Sequence, residues 1–310
     1  ELALEGERFP GWMMPVNQMG SVASYAVLLG SGQSAQPFKT VRDYDNWLAR
    51  AGRVPQLLDT ENANMRLGMA AGVVQPRVLM EKVLPQLDAV LAAGKASESL
   101  FWGPINALPE DFSEQDKTRL EAAFTALVEQ QLLPALRRQR DFIADVYLPA
   151  CRQSVALSAL PDGAAWYAYN ARQSTTTTQT PAQLHATGLA EVARIHAQIR
   201  EVMQQVGFKG SLQAFFSFMQ TDPRFEFSDE ASLLAHYRGL EAKVNARVGE
   251  LFSLTPRAPF QIRPIEAFRA QSAAGGEYMT PSEDGSRPGI FYVNTFDLPT
   301  RKTWDAEDLF

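Results

Sequence analysis

Apolar side chains recur three and four positions apart in one segment after another of this chain, and beyond Pro259 that spacing gives way to a different one. The first spacing gathers apolar residues on one face of an α-helix, so most of the chain must form amphipathic helices packed on one another. Thr40 precedes VRDYDNWLARAG, in which Tyr44, Trp47 and Leu48 share a face. Val54 to Ala71 carries Leu57, Leu58, Met65 and Met69, with Gly72 as the stop. Pro76 to Leu91 predicts a third helix, ending before Gly94, and the Pro-rich stretch GPINALPEDF (103–112) reads as a loop. Ser113-x-x-Asp116 opens a helical stretch reaching about Pro149, and Pro134 inside it predicts a kink or a split.

After Pro161-Asp162-Gly163 a short helix carries Trp166, Tyr167 and Tyr169, an aromatic group that reads as core. The β-branched run Thr175–Thr178 predicts extended or irregular chain. Thr180-Pro181 then marks a helix start, with Thr180 as N-cap, Pro181 in the first turn and Gln183 completing a capping box. Val192, Ile195, Ile199, Val202, Met203 and Val206 form its apolar stripe, and Gly207 and Gly210 bracket its end. Two more helices are expected at about 211–220 and 229–253. FQIRPIEAF and GIFYVNTF, with GEYM as a third candidate, are short, aromatic and β-branched, and predict strands. The expected fold is mainly α: a large multi-helix body over 1–258 and a small β region over 259–310, together one continuous domain truncated at both ends.

Composition narrows the function classes. Hydrophobic residues make up 45% and charged residues 21% of the 310, an ordinary globular balance. The net charge is −6 and no Lys/Arg cluster tracks along a helix, which argues against a nucleic-acid partner. No apolar run approaches the roughly 18–20 residues of a membrane-spanning helix. Cys151 is the sole cysteine, so no intrachain disulfide can form, and it reads as a small core thiol. The start at Glu1, without a basic-then-apolar leader, fits a processed or trimmed product.

No complete active site is legible in the residues themselves. Zinc needs converging ligands, often from His-Glu-x-x-His on a helix, and that motif is absent. His185 and His196 lie on one predicted helix face but roughly 16 Å apart along its axis, too far to share an ion. His236 stands alone. There is no Gly-x-Ser-x-Gly elbow and no phosphate-cradling glycine loop. His185 projects with Val192, Ile199 and Met203 toward the expected inward face, either as a core-edge histidine or as a ligand-facing residue on a cleft wall. Gly289–Phe296, read as an edge strand, could add a peptide backbone as an extra strand, with Tyr278, Tyr292 and Asn294 beside that groove. An ordinary strand with one buried face is the plainer reading.

Four stretches taken together resemble a known family: LDTENANMRLGMAAGVVQPRVLMEKVLPQLD (58–88), PDGAAWYAYNARQSTTTTQTPAQLHATGLAEVARI (161–195), TDPRFEFSDEASLLAHYRGL (221–240) and SRPGIFYVNTFDLPTR (286–301). They are similar to the bacterial "domain of unknown function 885" proteins, and the match runs from about Pro10 to Phe310. The resemblance implies a secreted or lipid-anchored metallopeptidase-like protein of the helical gluzincin type, periplasmic or extracellular, acting on peptides. It also implies that zinc, bound through a His-Glu motif running into Pro-Gly-His, belongs to the full-length protein beyond Phe310. No catalytic residue or metal ligand carries over to this chain, and membrane anchoring would come from a lipid signal upstream of Glu1. Gly289–Asn294 would form one wall of the cleft, and the Thr tract would turn His185 and several hydroxyls toward it. The competing expectation is a helical protein that binds a peptide or other ligand without chemistry.

Overall fold

The computed structural model describes residues 2–271, 273–285 and 287–310. The protein is mainly helical, with one small sheet near its C-terminal end. It packs as two compact units, Glu1–Thr178 and Gln179–Phe310.

In the first unit α1 (Val22–Gly30), α2 (Val41–Ala51), α3 (Val54–Ala71) and α4 (Arg77–Leu91) precede α5 (Glu114–Leu127), α6 (Leu133–Phe142) and α7 (Gly163–Thr175). Local chemistry sets where they begin and end. The Thr40 hydroxyl accepts from Asp43 N while the Asp43 carboxylate accepts from Thr40 N, a reciprocal box that starts α2. Gly72 ends α3 at a left-handed φ of 72°, which glycine adopts without steric cost. Helices α3 and α4 pack on α6, and α2 packs on α5. Tyr44, Trp47, Leu58, Met65, Met80 and Leu136 are fully buried among them. Trp166 and Tyr169 of α7 join a smaller cluster with Val73 and Leu160, with Phe9 stacked on Trp166 at 5.6 Å. Tyr167 faces solvent.

Two expectations change here. Gly103–Asn106 is a helical turn rather than loop, because Pro104 suits a first turn and Pro104 and Ile105 are buried. The stretch before Pro149 does not break at Pro134; it widens. π-helical turns at Val128–Leu132 and Ile143–Tyr147 each end two residues before a proline, Pro134 and Pro149. A proline ring crowds the carbonyl four residues back and offers no N–H, and the looser turn ahead of it lets the helix continue.

In the second unit α8 (Pro181–Gln205), α9 (Leu212–Thr221) and α10 (Glu230–Asn245) lead into β1 (Phe260–Pro264), β2 (Gly276–Met279) and β3 (Gly289–Val293). Helix α10 stops at Asn245, short of the expected residue 253, and a single turn follows at Val248–Leu251. The sheet order is β1-β3-β2, with β1 parallel and β2 antiparallel to β3. One face, through Ile262, Phe291 and Val293, packs on Leu233, Leu234, Tyr237 and Leu240 of α10. On the other face Ile290 and Tyr292 meet Ile265 and Ala270. Helix α8 begins as its sequence predicts, with Thr180 and Gln183 forming the capping box and Pro181 leading the first turn. Its stripe, however, is not buried: Val192, Ile195, Val202 and Val206 are 43–64% exposed, and Met203 is its buried member.

Candidate functional site

The expected edge strand is the central one. β3 is paired on both sides, so its amides and carbonyls are committed to β1 and β2 and cannot accept a further chain. The reason lies in the fold: all five residues of β3 are buried, and such a strand belongs in the middle of a sheet. The open edges are those of β1 and β2. On β1 the outward positions include Pro264, which has no N–H and blunts that edge.

β2 carries no such guard. Asn294 N donates to Gly275 O, which makes Gly275 and Asn294 a hydrogen-bonded pair in the antiparallel register. Pairs alternate along such a ladder, so Glu277–Tyr292 and Met279–Ile290 are bonded and Gly276 and Tyr278 turn their N–H and C=O groups outward. Among the described residues nothing hydrogen-bonds to those groups. The Tyr278 ring, 54% exposed, folds across β3 onto Phe260, with centroids 6.1 Å apart and planes 25° from parallel. Gly289 allows this, because a Cβ there would collide with the Tyr278 hydroxyl. Phe310 meets Phe260 and Phe291 edge-on at 6.1 and 5.4 Å, so the platform under Tyr278 is aromatic throughout.

Tyr292 and Asn294 share this sheet with Tyr278 but not its exposure. Tyr292 is 2% exposed and lies under the Arg269 guanidinium at 5.4 Å, and burial, with Glu266 nearby, pushes its phenol up. Arg269 itself bridges Glu266 and Glu277, each at 2.5 Å. Asn294 is 1% exposed. Its Nδ2 donates to the carbonyls of Ala270, Ala273 and Ala274, and its Oδ1 accepts from Phe296 N. That side chain brackets the β1–β2 connection, with both N–H donors committed and the whole group buried away from any ligand.

His185 does not face inward; it is exposed on α8. Along the face it shares, Met203 is buried and Val192 exposed, and His185 lies at the exposed end. Thr175 ends α7, its hydroxyl donating to Ala171 O, and Thr176 takes a left-handed φ of 55° that stops the helix. The tract is therefore a helix stop followed by the boundary between the two units. His196 sits against Phe216, and His236 against Phe227 and Tyr237. Among the described residues no group of three or more His, Cys, Asp or Glu could hold a metal ion, so the side chains present do not fit a zinc centre. Cys151 is buried, and burial pushes its thiol up to about 11 against the pull of Arg77 and Arg152, which leaves it unreactive.

Sequence reasoning missed one polar cluster in the first unit. Glu61 of α3 is 7% exposed; its Oε1 accepts from Val22 N at 3.1 Å and its Oε2 from Gln139 Nε2 at 2.7 Å. Burial pushes its carboxyl up, partly opposed by those two bonds. A cavity of 400 Å³ rimmed by Asn17, Val22 and Tyr25 opens onto it. The signal was available: Glu61 falls three after Leu58 and four before Met65, on the buried stripe itself.

Among curated proteins none matches the chain. A crystal structure from Colwellia psychrerythraea, described as a candidate lipoprotein, superposes with a TM-score of 0.84 at 23% identity, over 96% of this chain and 51% of that one. That likeness is one of fold, and the present chain spans about half the length of the solved chain. The family model for "Bacterial protein of unknown function (DUF885)" matches residues 1–310. A match along the full 310 residues leaves no segment outside it, and the chain belongs to the DUF885 family of bacterial proteins.

Proposed function

We propose that β2 receives an extended peptide as an added strand beside Tyr278, and that the chain supplies this binding surface to a peptide hydrolase. The observation that carries the reading is the open β2 edge, with the outward amide and carbonyl groups of Gly276 and Tyr278 next to an aromatic platform. Each backbone bond to an added strand contributes about 1 kcal/mol net, and a side chain stacked on Tyr278 adds a similar amount. In this reading zinc and the general base belong to the full-length protein, outside residues 1–310, since no described cluster here fits a metal. A secreted or lipid-anchored location fits the candidate lipoprotein of similar fold. Among the described residues no helix is long and apolar enough to cross a membrane.

The test uses the full-length gene product and fluorescein-labelled casein peptides. Tyr278→Pro removes the outward N–H from a strand whose edge faces solvent, where proline is tolerated. It should raise KM about thirtyfold, the loss of about 1 kcal/mol each from one backbone bond and the ring, while Tyr278→Phe leaves KM unchanged. An unchanged KM in the proline variant, with folding intact, rejects the edge as the peptide site. Peptides bound but never cut would make this a binding protein without hydrolysis.

A further inference from the structure

Helix α8 holds a seam that the rest of the second unit leaves largely uncovered. Val192, Ile195, Ile199, Val202 and Val206 are spaced 3, 4, 3 and 4 residues apart, the heptad spacing of a helix that packs lengthwise against another. His185 and Gly188 continue the same row one heptad upstream. Four of the five apolar members are 43–64% exposed, and a Cβ at Gly188 would meet nothing within 4 Å.

Solvent is a poor setting for this helix. Val and Ile are mediocre helix formers, and in proteins most helical stability comes from packing an amphipathic face rather than from propensity. Placing five β-branched residues on an open face would weaken α8 without return, unless another element covers them.

We infer that this seam is the packing surface for an amphipathic helix of the same full-length polypeptide, drawn from the part of the family fold that has no counterpart in these 310 residues. The Colwellia chain supplies the reason to choose that occupant. Its fold matches nearly all of this chain yet extends over about twice the length, and a covalently attached helix acts at a high effective concentration that a free partner lacks. The 3-4 spacing sets a crossing angle of about 20°. Gly188 marks the closest approach of the two helices, and His185 forms the polar end of the seam.

Cysteine accessibility in the full-length protein tests this. Val192→Cys and Ile199→Cys place thiols in the seam, and Arg194→Cys places one on the opposite face. Cys151 is buried and contributes little background. The seam thiols should react with a maleimide about tenfold more slowly than the control, or slower still, in the native protein and at the same rate in denaturant. Equal native rates overturn the inference. So does protection that disappears on dilution together with a halving of the mass, because a second copy would then be the cover. Gly188→Leu should lower the Tm of the full-length protein by crowding the approach; a higher Tm, the result for a solvent-exposed helix position, would also overturn it.

Discussion

At the scale of single residues, burial decides roles that residue type leaves open. Asn294 and Tyr278 both looked like groove residues, yet Asn294 spends its amide on three backbone carbonyls while Tyr278 keeps its ring in solvent. Glu61 is the reverse case, a charged residue of no apparent note that lies at 7% exposure between α1, α3 and α6. Its folded carboxyl is raised above the ordinary 4.5, with burial as the largest cause. A raised acid binds its proton more tightly when folded, so its contribution is fully present below pH 4.5 and is lost as pH rises from there through the folded value. Glu61→Gln cannot titrate; its amide oxygen can accept from Val22 N, and its Nε2 can donate to Gln139 Oε1 once the Gln139 amide turns over. Urea unfolding should therefore show wild type losing ground to Glu61→Gln between pH 4.5 and pH 7. Parallel pH profiles would mean that Glu61 titrates normally in the folded protein.

At the scale of elements, ends are local and neighbours are not. The Thr180, Pro181 and Gln183 constellation starts α8 where the sequence places it, because a capping box involves four consecutive residues and no distant one. Thr180→Ala should cost about 1 kcal/mol of local stability and speed amide exchange over residues 182–184 roughly fivefold, with little effect at the far end of α8. Exchange unchanged at the start of α8 would show that packing, not the cap, holds it. Strand identity was equally legible, since FQIRP, GEYM and GIFYV are all strands. Their order was not: period-2 patterning says which residues alternate, but a strand buried along its whole length reads the same whether its neighbours lie on one side or both.

At the scale of the whole molecule, the division between Thr178 and Gln179 runs through a stretch of exposed threonines outside regular structure. Exposed linking segments are the usual sites of first proteolytic attack. Limited proteinase K digestion should cut first within 176–180, giving fragments of about 20 and 15 kDa in proportion to length. A first cut inside α3 or α10 would contradict the two-unit packing. The expected body over 1–258 followed by a β region rested on where strand-like composition begins. In the structure the sheet shares one core with α10.

The sequence by itself determined the helical class, the strands, and the caps and stops at Thr40, Gly72 and Thr180, because each depends on interactions reaching only a few residues along the chain. The place of Glu61 on a buried stripe is also a matter of spacing, although no motif sets that residue apart. Only the tertiary structure decided that β3 is central and β2 open, that Asn294 is consumed by the backbone, and that the α8 seam faces solvent. Those outcomes depend on which surfaces far apart in sequence come together, and a hydrophobic stripe specifies that a face should be covered without specifying by what.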